Sequence, residues 1–122
     1  MIASAVTEFG ELLGMSNLAL DQDGSLVLQI EPADTLCLVE RGNHLHISLS
    51  RERQYPGIPG AARLLELLHF ENTGGTAIRC RRTEFGRTTV LLQTLAGEGL
   101  RGAAILESMD RLTKLHNISE ST

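Results

Sequence analysis

Cys37, His44 and His46 fall close together in the stretch TLCLVERGNHLHISLS, residues 35–50. These are residue types that ligate metals or act as nucleophile and base. Histidines at i and i+2 on a strand project to the same side, and such a pair can hold zinc. Cys37 lies diagonal to His46 on that same side, so a three-ligand site is geometrically allowed. A thiol nucleophile assisted by histidine is the other chemistry these residues permit. Against both, the stretch offers no fourth ligand and no catalytic acid. Cys37 also sits in mid-strand, away from any helix N-terminus or open loop. The expectation is no metal, no cofactor and no catalytic residue. A small metal- or thiol-dependent enzyme remains the alternative.

Other motifs point the same way. NTGGTA (72–77) lacks the length and the Lys-Ser/Thr of a phosphate loop. GEGLRG (97–102) misses the dinucleotide glycine spacing. Carboxylates are scattered singly, so no acid–base pair stands out. Cys80 sits among Arg79, Arg81 and Arg82 and reads as a small half-buried residue. The arginines at 79–87 form a basic cluster, either a solvated hairpin rim or a contact for an acidic segment of a partner.

The elements that would position these residues follow from periodicity. Ile2, Val6, Phe9 and Leu13 trace one helix face, and Gly14 follows as a C-cap. Leu18 and Leu20, the turn Asp21-Gln22-Asp23-Gly24, and Leu26, Leu28 and Ile30 read as a hairpin that Pro32 ends. Gly42-Asn43 is a two-residue hairpin loop of the type II′ class. Its register sets Arg41 opposite His44, Val39 opposite His46, Cys37 opposite Ser48 and Thr35 opposite Ser50. One face then carries Leu36, Leu38, Leu45, Ile47 and Leu49. The other carries Cys37, Val39, His44, His46, Ser48 and Ser50. RERQYPGIPG (51–60) reads as a loop. AARLLELLHF (61–70) reads as a helix so apolar that it needs cover on more than one side. TAIRCRRTEFGRTTVLLQTL (76–95) reads as a hairpin turning near Glu84-Phe85-Gly86. Ile105, Met109, Leu112 and His116, with Leu106 and Leu115, define a closing helix, and 118–122 a frayed tail. The expected fold is α+β, in the order α-β-β-β-β-α-β-β-α. Three helices would pack on a twisted antiparallel sheet in a single domain spanning 1–122.

Composition bounds the function. The chain has 122 residues, a formal net charge of −4 and 42% hydrophobic residues. That suits one core and disfavours nucleic acid and anionic membranes as partners. Two distant cysteines and an N-terminus without a basic, apolar signal point to a reducing compartment, and no apolar run reaches membrane length.

The pattern as a whole resembles the class I type III secretion chaperones, of the Tir-chaperone type. The resemblance is strongest over residues 61–117. LLELLHFENTGGTAIRC looks like that family's second helix, its connector and the next strand. GRTTVLLQTL looks like the strand after that, and GEGLRGAAILESMDRLTKLHN like the closing helix. FGELLGMSNLALDQDGSLVLQI fits the N-terminal helix and first strands. The resemblance implies a cytoplasmic chaperone in a Gram-negative bacterium, dimeric as a homodimer or with a related chaperone. It would hold the N-terminal segment of a secreted effector soluble and export-competent without ATP. A regulatory adaptor or anti-activator on the same fold is the alternative partner-binding role. On these roles dimerisation falls to Leu64, Leu65, Leu67 and Leu68 with Ala77 and Ile78. Effector binding falls to Val6, Phe9, Leu18, Leu20, Leu28 and Ile30.

Overall fold

The computed structural model describes residues 2–52, 77–82 and 88–120. They form α1 (Ile2–Leu12), β1 (Ser25–Glu31), β2 (Asp34–Arg41), β3 (His44–Glu52), β4 (Ile78–Arg82), β5 (Thr88–Ala96) and α2 (Gly102–Glu120). A 3-10 turn at Gly97–Gly99 leads from β5 into α2. The five strands make one antiparallel sheet in the order β1-β2-β3-β5-β4. Both described helices lie on one face of it. The fold is thus α+β, as expected. The helix expected at 61–70 lies outside the described residues.

The apolar stripe of α1 is what places it. Ile2, Ala5, Val6 and Phe9 are buried, and Val6 and Phe9 are wholly so. Burying one such side chain stabilises the fold by roughly 1.5–3 kcal/mol. Gly14 stops the helix with φ +79. Its N–H donates to the Glu11 carbonyl, and that of Met15 donates to the Gly10 carbonyl. These are the paired bonds of a Schellman cap, which needs a left-handed residue at the glycine position.

Residues 18–20 correct the expected order, because they form no strand. Their alternation has another cause. Leu18 is buried against α1, where a Cβ on Gly10 would stand 2.5 Å from the Leu18 Cβ. The Thr7 hydroxyl donates to the Leu18 carbonyl at 3.3 Å. The Asp21 carboxylate accepts from the N–H groups of Asp23 and Ser25, each at 2.9 Å, closing the 21–24 turn without a ladder beyond it. β1 pairs with β2 instead, round the turn at Pro32-Ala33. The run before the undescribed stretch is therefore three strands and not four.

The β2–β3 register is the expected one at every pair, from Arg41↔His44 to Thr35↔Ser50. Gly42 takes φ +62, the sign a type II′ loop requires at its first position. Leu36, Leu38, Leu45, Ile47 and Leu49 are 0–1% exposed and form the floor of the core. β3 runs on to Glu52, so Arg51 and Glu52 belong to the strand and not to the loop expected from residue 51, and the rest of that expected loop lies outside the described residues. Arg51 explains the extension. It sits in register with Asp34 and is buried beside it.

α2 closes the core with Ile105, Met109, Leu112 and Leu115. It runs from Gly102 to Glu120. Polar bonds lock it to the sheet. His116 is fully buried, and its Nε2–H donates to the Leu49 carbonyl at 2.8 Å. A carbonyl only accepts, so this contact fixes the proton on Nε2. Ser108 donates to Gln93 at 2.8 Å, and Arg51 donates to Asn117 at 2.7 Å.

Candidate functional site

Cys37, His44 and His46 all lie on the face of the sheet away from the helices. Cys37 and His46 are half-buried and His44 is exposed. His46 Nδ1 stands 3.0 Å from the Thr94 hydroxyl, its cross-strand neighbour on β5. Cys37 has Val27 on one side and Ser48 on the other. Among the described residues, no three His, Cys, Asp or Glu side chains come together as metal ligands would. Cys80 faces the opposite way. It is half-buried against the core and opposite Leu91, while Arg79 and Arg81 point to the far face. The arginines flanking it in sequence are therefore not around it in space.

The six residues expected at an effector surface divide into two groups. Val6, Phe9 and Leu18 are buried in the core. Leu20, Leu28 and Ile30 are half-buried and pack against its margin, together with Leu13 and Leu26. Leu20, Leu26, Leu28 and Ile30 lie on or just before β1, which among the described strands is an edge paired only to β2. The Glu40 N–H donates to the Gly24 carbonyl at 2.8 Å. The register then puts the next ladder bonds at Leu26–Leu38 and Leu28–Leu36. The N–H groups of Val27 and Gln29 consequently face outward, as in any antiparallel edge. The strand thus offers open main-chain groups beside a half-covered apolar margin.

Among the described residues, three large apolar side chains are exposed: Leu12 at 51%, Met15 at 40% and Val27 at 63%. None was expected at a binding surface. Val27 had a signal, since it falls off-beat within Leu26, Leu28 and Ile30. Leu12 likewise lies beside the α1 stripe and not on it.

Of the residues expected at a dimer interface, Leu64, Leu65, Leu67 and Leu68 lie outside the described residues. Ala77 is exposed, and Ile78 is 9% exposed within the core at the start of β4. β4 is the other edge of the sheet. A cavity of about 510 Å³ opens between the start of α1, the β2–β3 loop and the 97–100 turn, lined by Ile2, Ala3, Glu40 and Leu100. No helix among the described residues is long and apolar enough to cross a membrane.

This arrangement of edge strands and one helical layer is the fold of the class I type III secretion chaperones. The chaperone–effector complex of HopA1 and SchA superposes with a TM-score of 0.73 at 18% identity, covering 97% of this chain and 91% of that one. The ExsC–ExsE complex gives 0.76 at 14% identity, over 96% and 89%. The Yersinia pestis type III secretion chaperone SycH, bound to a fragment of YscM2, gives 0.67 at 19%, over 94% and 99%. A more distant likeness, at 0.56 and 16% identity over 91% and 82%, is to YbjN, a putative transcription regulator from E. coli. No protein-family model and no curated protein matches the chain.

Proposed function

We propose that the chain is a type III secretion chaperone. It binds the N-terminal segment of a secreted effector and keeps it soluble and export-competent without ATP. It acts in the cytoplasm of a Gram-negative bacterium as a dimer, with itself or with a related chaperone. The observation that carries this reading is similarity over nearly the whole chain to proteins held in chaperone–effector complexes.

The open edge of β1 supports it physically. An extended polypeptide can pair with the free N–H and C=O groups there while its side chains reach Leu20, Leu28 and Ile30. Binding orders a disordered segment and so costs entropy, and a long wrapped contact offsets this. The dimer role stays with Leu64, Leu65, Leu67 and Leu68, helped by Ala77 and Ile78 at β4. Co-expression with the protein encoded beside it tests the reading. The expected result is a stable complex that an N-terminal deletion of that protein abolishes. A clean monomer that leaves the segment insoluble would overturn it.

A second reading, a regulatory adaptor, is supported by the likeness to YbjN. It predicts a transcription factor, and no exported protein, as the bound partner.

A further inference from the structure

The sheet face that neither described helix covers has an unusual charge pattern. Alternation places Thr35, Cys37 and Val39 there from β2, His46, Ser48 and Ser50 from β3, and Thr88, Val90, Leu92 and Thr94 from β5. None of these ten is buried, whereas their helix-side neighbours Leu38, Ile47, Leu49 and Leu91 are 0% exposed. Not one of them is Lys, Arg, Asp or Glu. A sheet face that stays in water usually carries charge, and the centre of a contact surface is depleted in it. One row crosses the whole sheet as Val27–Cys37–Ser48–Leu92–Arg79, and the next ends Ser50–Val90–Arg81. Arg79 and Arg81 are both exposed and form a basic rim along β4. The described charges on this face are Arg41, Arg79 and Arg81 against Glu52, with Glu31 at the irregular end of β1, in a chain whose net charge is −4.

We propose that this face docks an acidic amphipathic helix of a partner polypeptide, its carboxylates on Arg79 and Arg81 and its apolar side over Val27, Val90 and Leu92. The main-chain groups of β2, β3 and β5 are already paired on both sides. An extended segment lying over them would leave its own backbone unsatisfied, whereas a helix satisfies its own. The charge selects an acidic occupant, because a basic one would meet the arginine rim with like charge. This deepens the chaperone reading by adding a second contact of stated chemistry, to the face of the sheet and not to the main-chain groups of the β1 edge.

The test uses the full chain and two fluorescein-labelled amphipathic peptides. One has a leucine face flanked by glutamates, and its twin has lysine for each glutamate. The glutamate peptide should bind, weaken with salt, and lose about tenfold or more in affinity on joint Arg79→Glu and Arg81→Glu substitution. Because these side chains are exposed, the variant should keep the parent's far-UV circular dichroism. Maleimide labelling gives an internal control, since Cys37 lies on this face and Cys80 on the other. Bound peptide should slow labelling of Cys37 and leave Cys80 unchanged. Equal binding of both peptides, an affinity indifferent to the charge reversal, or Cys37 protected before peptide is added by a second copy would overturn the proposal. The assay needs no export substrate, so its failure is read separately from failure of the chaperone reading.

Discussion

Arg51 and Asp34 form a two-pronged ion pair inside the protein. Arg51 Nε donates to Asp34 Oδ1 at 2.6 Å, and its Nη2 donates to Oδ2 at 2.7 Å. Their side chains are only 9% and 4% exposed. The pair joins the start of β2 to the end of β3, and a further Arg51 bond, to Asn117, reaches α2. One guanidinium therefore ties both ends of the central hairpin to the closing helix. The fork geometry matches arginine to carboxylate in a way lysine cannot.

Asp34→Ala should cost about 3–5 kcal/mol, because it takes the bidentate carboxylate away from a buried guanidinium. Replacing both partners with apolar residues of similar volume should cost less than the single change, since no charge is then left unpaired. Urea denaturation of the two variants checks this. A single-variant loss under about 1 kcal/mol would match an exposed pair and contradict the burial seen here.

Gly102 meets α1 with no room for a side chain. A Cβ there would lie 2.6 Å from the Phe9 backbone nitrogen and 2.7 Å from the Glu8 Cβ. The nearest obstacle is the α1 backbone, and Glu8 Cβ moves with that backbone, so neither can swing aside. Gly102→Ala should destabilise by about 1–3 kcal/mol by prising the helices apart. Gly99→Ala is the control, since nothing stands within 4 Å of its Cβ position. Equal melting temperatures for the two variants would show that α1 and α2 do not meet this closely.

The central hairpin was legible because two independent signals agreed. A two-residue Gly42-Asn43 loop fixes the register, and strict alternation of Leu36, Leu38, Leu45 and Ile47 fixes the face. The helices were legible from their stripes, down to His116 as a core position. Leu18 and Leu20 misled because two alternating leucines suit a strand and a loop pinned to a helix equally well. Arg51 was hidden because the prolines and glycines after it extend their loop signal backward over it. Its partner lies 17 residues away, and only the folded register brings the two together. The candidate surfaces were half legible. Periodicity says which residues are apolar, but Val6 and Phe9 show that it does not say which stay uncovered.

Val27→Pro tests the β1 edge. The Val27 N–H faces outward, so proline removes no ladder bond to β2 but leaves nothing for a pairing segment to accept from. Binding of the proposed effector segment should fall by about tenfold or more, as for loss of a backbone contact together with its neighbours. Val27→Ala separates the side chain from the backbone and should bind far better than the proline variant. Unchanged binding by Val27→Pro, with the fold intact by circular dichroism, would rule out edge pairing.

Oxidation should give no disulfide within one chain. Cys37 on β2 and Cys80 on β4 are separated by β3 and β5 and point to opposite faces. Three strand spacings put their backbones about 14 Å apart, twice the span a disulfide tolerates. Mild oxidants should therefore yield only cross-linked dimers on a non-reducing gel. Cys37→Ser and Cys80→Ser variants then report which face meets a second copy. Dimers through Cys37 would place that copy over the uncovered sheet face, whereas dimers through Cys80 would require the β4 edge to open. An intramolecular species migrating faster than the reduced chain would mean that the strand order drawn here is wrong.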